Sequence, residues 1–150
     1  MKRIFLSLML LVGATMMSAQ SYNSEQEQLR REIKVFLDKM GYAPENQSDG
    51  LKFKSGGINY YVEIDKDETA PMYLRLCRYV KYDDKMTREK IMAKINDCNS
   101  TYAVKVSCKD RSFILSSELF VTKSSEFTDV FDTLLGLIKS AYESVKTKVS

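Results

Sequence analysis

The chain has 150 residues, of which 44% are hydrophobic and 29% charged, with 23 Lys+Arg against 20 Asp+Glu. That is the size and composition of one globular domain, and it excludes a collagen-like fibre and an intrinsically disordered chain. Histidine is absent, which removes the commonest general base and the commonest metal ligand.

Lys2 and Arg3 precede an apolar run from Ile4 to Ala14, and small and polar residues follow to Gln20. This order predicts a signal peptide over 1–19 cleaved after Ala19, and hence a periplasmic or secreted protein. The run is too short for the roughly 20 residues of a spanning helix, so the mature chain is expected to have no membrane span. Lys2 and Arg3 leave with the signal, and 21 basic against 20 acidic residues remain, a net charge of +1. Without a basic run, nucleic acid is not an expected partner.

Residues 20–150 are read as a single domain. Ser24 to Met40 is predicted helical, with Leu29, Ile33, Phe36, Leu37 and Met40 at three- and four-residue spacing, Ser24 as N-cap and Gly41 as stop. Ala43 to Gly50 reads as a polar loop. Strands follow at Leu51–Ser55 and Ile58–Asp65, joined by Gly56-Gly57. After a turn over Lys66–Pro71, a strand at Met72–Tyr82 puts Met72, Leu74, Leu76 and Val80 on one face. Tyr73, Arg75, Cys77, Tyr79 and Lys81 take the other. Arg78 interrupts the apolar row and is expected at the sheet margin.

A second helix is expected from Thr87 to Cys98, burying Ile91, Met92 and Ile95, with Asn96 and Asn99 as structural caps at its end. Strands at Tyr102–Cys108 and Ser112–Val121 flank the turn Lys109–Arg111. Their inward rows are Tyr102, Val104, Val106 and then Phe113, Leu115, Leu119, Val121. The last helix is predicted as one piece from a cap at Ser124 or Ser125 through Val145, with Gly136 approaching the sheet. The expected fold is α+β with two layers: an antiparallel five-stranded sheet with helices on one face, in the order α-β-β-β-α-β-β-α.

That element order resembles the secretion-chaperone-like fold, and within it the YbjN-like family of bacterial sensory-transduction regulators. The resemblance rests on Asn96-x-x-Asn99 at the end of the second helix, followed by a strand, a short turn and the Leu/Ser/Glu-rich Phe113–Leu119. It spans roughly Gln26 to Val145. It implies no catalytic residues.

Three cysteines, Cys77, Cys98 and Cys108, leave at least one unpaired. Cys98 and Cys108 bracket the predicted strand, on the order of 20 Å apart at about 3.3 Å per residue, too far for a disulfide. Asp65, Asp67 and Glu68 do not begin a calcium loop, because Ala70 and Leu76 stand where glycine and glutamate are needed. No metal, cofactor or catalytic set is therefore assigned. The outward sheet face remains, with Tyr61, Tyr73, Arg75, Tyr79, Ile114 and Phe120, accompanied by Lys52 and Glu63. Aromatic-plus-arginine composition is enriched at interfaces. The expected role is a non-catalytic exported module binding a protein or peptide, or itself as a homodimer, through that face. The alternative is a thiol-dependent redox or enzymatic protein of the cell envelope.

Overall fold

The computed structural model describes residues 21–82, 85–101 and 103–147. The expected signal segment and Tyr102 lie outside them. The elements are α1 (Ser24–Lys39), β1 (Glu45–Gln47), β2 (Gly50–Ser55), β3 (Ile58–Thr69), β4 (Met72–Lys81), α2 (Arg88–Thr101), β5 (Lys105–Lys109), β6 (Ser112–Val121), α3 (Ser124–Thr128) and α4 (Phe131–Thr147). Six strands form one antiparallel sheet in the order β1-β2-β3-β4-β6-β5. The class is α+β as expected, with one strand more than expected.

The extra strand is β1. Glu45, Asn46 and Gln47 are all exposed and polar, so no alternation marks them. Gln47 pairs with Gly50 across a two-residue turn. Gly50 has φ +145°, and a Cβ there would stand 1.9 Å from the Val62 carbonyl oxygen. Only glycine fits that approach. The β2–β3 turn falls at Gly56-Gly57 as expected, and the β5–β6 turn is one residue shorter than expected, since Lys109 pairs with Ser112. Gly56 and Gly57 have φ of +58° and +77°, and Asp110 and Arg111 take +48° and +60° without glycine. Positive φ at both central residues suits the twist of a two-residue hairpin.

Strand β3 runs four residues past the expected Asp65. Its pairing with β4 shifts between Ile64 and Thr69 and resumes at Thr69 opposite Met72, so the turn is confined to Ala70 and Pro71. Gln26 of α1 explains how this irregular stretch is held. It is fully buried, and its Nε2 donates to the carbonyls of Asp65 at 2.9 Å and Glu68 at 3.1 Å. Its Oε1 accepts from the Asn23 backbone N–H, while Asn23 Oδ1 accepts from the Gln26 N–H. The N-cap is thus Asn23, not Ser24, in a reciprocal capping box.

The core joins Leu29, Ile33 and Leu37 of α1, Phe127 of α3, and Phe131, Leu135 and Ile138 of α4 to the strand row Leu51, Phe53, Tyr60, Val62, Leu74, Leu76, Phe113 and Leu115. Rings of Phe36, Tyr42, Phe53 and Phe127 each lie within 5.3–5.8 Å of Phe131. Phe131 opens α4 because the expected single last helix is broken at Asp129 and Val130. The Val130 N–H turns to Phe127 O at 3.2 Å, and the Val130 side chain is exposed. Neither Ser124 nor Ser125 caps α3. Lys123 holds the cap position without a side-chain bond, and Glu126 instead accepts from the Thr122 N–H at 2.7 Å. A Cβ added at Gly136 would meet nothing beyond its own helix within 4 Å, so a close approach to the sheet does not account for it.

Helix α2 starts as expected, with Ile91 N–H bonded to Thr87 O at 3.0 Å, but it extends to Thr101; of the expected stripe, Ile91 and Ile95 pack against the core and Met92 does not. Lys94 and Cys98 are buried while Met92 is exposed. Lys94 crosses to α4, where its Nζ donates to the Val145 carbonyl at 2.8 Å. A cation suits that carbonyl-rich helix end. Strand β5 begins only at Lys105. Arg78 is not at the margin either: it lies on β4, between β3 and β6, and is 7% exposed.

Candidate functional site: the aromatic face of the sheet

Alternation along β3, β4 and β6 turns Tyr61, Glu63, Tyr73, Arg75, Cys77, Tyr79, Ile114, Ser116, Glu118 and Phe120 to the face opposite the core row. Register then brings them together. Glu63 stands opposite Arg75 and Arg75 opposite Glu118; Tyr61 faces Cys77; Tyr73 faces Phe120; Tyr79 faces Ile114. The expected cluster is therefore spatially real.

Glu63 is its hub. Its Oε2 accepts from Arg75 at 2.6 Å, through both Nε and an amino nitrogen. Its Oε1 accepts from the Tyr79 hydroxyl at 2.5 Å. Glu118 bonds Lys105 Nζ at 3.1 Å and accepts from Ser116 Oγ at 3.3 Å. Half-buried charge-assisted bonds of this kind fix side chains more firmly than neutral ones. The rings pair as well: Tyr61 and Tyr79 meet edge-on at 5.3 Å, and Tyr73 and Phe120 at 5.2 Å.

Burial, and then the hydrogen bond to Glu63, pushes the Tyr79 phenol well above its ordinary range. Burial and the Glu118 carboxylate raise Tyr73 to about 12. Burial works to raise the Glu118 carboxyl, but bonds from Lys105 and Tyr73 outweigh it and hold it below its usual value. Both phenols are thus neutral hydrogen-bond donors near neutrality, and both carboxylates are engaged.

Exposure sorts the six expected residues. Phe120 is 63% exposed and Tyr79 41%. Tyr61, Tyr73 and Arg75 are half-buried. Ile114, expected on the surface, is only 4% exposed, flanked by Tyr79 and Ser107 in the ladder, and offers little to a partner. Glu118 and Lys105 were absent from the expected set. Glu118 could have been found, since alternation from Phe120 places it on the same face. Hollows lie on both sides of Glu63, one of about 350 Å³ walled by Tyr73, Arg75 and Lys66, and one of about 250 Å³ walled by Tyr61, Tyr79 and Gln47.

The edges of the sheet are guarded. Asn99 is not a helix cap; it sits inside α2 and clamps β5. Its Oδ1 accepts from the Val106 N–H at 2.7 Å and its Nδ2 donates to the Val106 carbonyl at 3.2 Å. That occupies an edge pair which an added strand would need. Asn96 is exposed and, like Asn99, has no left-handed backbone. The opposite edge, β1, is three residues long.

All three cysteines are free thiols. The chain doubles back from Asn99 to Val106, so an extended-strand separation does not describe Cys98 and Cys108. Burial pushes both the Cys77 and Cys98 thiols up, the opposite of what a reactive thiolate needs. Cys108 is exposed, with its Sγ 3.2 Å from the Tyr82 hydroxyl. No group of three or more Cys, Asp or Glu suited to a metal ion occurs among the described residues.

No family model matches the chain, and neither a curated protein nor a solved structure matches it. No described helix is long and apolar enough to cross a membrane.

Proposed function

We propose that this chain is a non-catalytic interaction module that takes a protein or peptide, or a second copy of itself, on the aromatic face of its sheet. The observation that carries this reading is Phe120, a phenylalanine 63% exposed and packed against Tyr73, on a face where Glu63, Arg75, Tyr79 and Glu118 are held by hydrogen bonds and ion pairs. Rigid aromatic anchors bind with little loss of side-chain freedom. The satisfied pairs at Glu63 and Glu118 need not be broken to dock an apolar residue against them. Guarded edges favour docking on the face over strand addition. The signal-like segment supports export to the periplasm or beyond, and the element order supports a YbjN-like, secretion-chaperone-like relationship with helices on one face of the sheet. Buried, protonated Cys77 and Cys98 weigh against the thiol-dependent alternative.

The test is capture from an envelope extract, run beside sedimentation of the purified chain, with Phe120→Ser and Tyr79→Ser. Both variants should retain the native circular dichroism spectrum and lose the bound protein or the dimer. Unchanged capture and unchanged association state would remove the face from the account.

A further inference from the structure

The row opposite the aromatic face holds a second feature. Arg78 lies in line with Leu74 and Leu76 on β4 and is 7% exposed. Its guanidinium carbon is 3.3 Å from the centre of the Tyr142 ring and 5.8 Å from that of Tyr60. Among the described residues no carboxylate forms an ion pair with it. Arginine stays charged under any ordinary condition, and a desolvated charge without a counter-ion is costly. Stacking on the Tyr142 ring and a hydrogen bond with the Tyr60 hydroxyl recover only part of that cost.

This guanidinium lines a cavity of about 350 Å³ between the β2–β3 turn and α4, with Ser55, Ile58, Tyr60, Lys139 and Glu143 among its walls. Lys139 is fixed at the rim, its Nζ 3.0 Å from Ser55 Oγ. The wall therefore carries two cations against one carboxylate. The volume is at the small end of ligand sites, and a planar fork of N–H donors with one face already stacked matches an oxyanion edge-on.

We propose that this cavity binds a small oxyanion, a carboxylate or phosphate group, with Arg78 as inner cation, Lys139 as outer cation and Glu143 limiting the charge it accepts. Arg78 and Tyr79 are successive strand residues and point to opposite faces, so this site stands independently of the aromatic platform.

The experiment is an amide and arginine Nε–H NMR titration of the purified chain with sodium phosphate and, separately, with sodium acetate. Sodium chloride holds the ionic strength constant. Saturable shifts at Ser55, Gly56, Ser140 and the Arg78 side chain are expected with at least one anion. The one saturating at lower concentration identifies the oxyanion as tetrahedral or planar. Lys139→Glu, at an exposed position that leaves the fold intact, should weaken binding about tenfold, and Glu143→Gln should tighten it about threefold. Non-saturating shifts no different from those in chloride would overturn the proposal. So would dissociation constants unchanged in both variants, which would leave Arg78 as a purely structural cation.

Discussion

Replacing Gln26 tests whether one buried amide holds the irregular half of β3. In Gln26→Ala the two side-chain N–H donors, shared among the carbonyls of Asp65, Lys66 and Glu68, and the acceptor bond from the Asn23 N–H are all lost. The return bond from the Gln26 backbone N–H to Asn23 survives, because it uses no side-chain atom of residue 26. At about 1 kcal/mol net per bond, the loss is about 3 kcal/mol. For a chain of this length that lowers the melting temperature by about 10 °C. Urea unfolding followed by circular dichroism measures it directly. Gln26→Glu sharpens the test. At neutral pH it aims a carboxylate at two backbone carbonyls, so it should be less stable than Gln26→Ala. Burial among carbonyls raises the folded pKa of the new carboxyl above the unfolded value of about 4.3. The protonated form is then favoured in the folded state. The variant's deficit against the native chain should be smallest below about pH 4 and grow as pH rises through the folded pKa. A Gln26→Ala variant within about 0.5 kcal/mol of native, smaller than one net hydrogen bond, or a Gln26→Glu deficit that does not change with pH, would refute the reasoning.

Gly50→Ala should cost at least about 3 kcal/mol, because the added Cβ meets the Val62 carbonyl at 1.9 Å and the backbone cannot relax without opening the β2–β3 ladder; the unfolding midpoint checks it. A thiol reagent added to the native chain should label Cys108 rapidly and Cys77 and Cys98 only after denaturant, and rapid labelling of all three would contradict the burial that defines them. Stability should fall on the alkaline side. The folded state holds the Tyr73 proton from 10.0 up to about 12, whereas the unfolded chain gives it up at the ordinary value. The contribution is therefore intact below pH 10 and lost as pH rises toward 12, which chemical denaturation across that window, with Tyr73→Phe as control, will measure.

Strands β3, β4 and β6 were legible because each turns a row of alternate apolar residues to the core, and β6 was located to the residue. Strand β1 was not, because an exposed edge strand of Glu, Asn and Gln has no apolar row to read. The last helix read as one because apolar spacing continues from Phe127 through Val130 to Phe131, and nothing in composition says that Val130 turns outward. Helix α2 misled for the converse reason. It buries Lys94, whose ammonium finds a carbonyl on α4, and a lysine inside a stripe cannot be told from one outside it without knowing that partner. Gln26 stands three residues before Leu29, at the head of the buried stripe, and polarity concealed it.

The aromatic site was legible for the same reason as the strands: alternation fixes which face a residue takes. Which members are open to a partner was not, since Ile114 and Phe120 share a face but differ in their covering neighbours. Arg78 was visible as a break in the apolar row, yet the row cannot reveal that Tyr142 of a distant helix stacks on it.

Site-specific photo-crosslinking tests the central claim most directly. A photoreactive phenylalanine analogue is placed at Phe120 on the sheet face and, in a second strain, at Val35 of α1, an exposed apolar residue on another element, and each chain is irradiated in its native envelope. A discrete adduct from position 120, whether with another protein or with a second copy, and none from position 35 is the predicted result. Adducts from position 35 and none from position 120 would contradict the account.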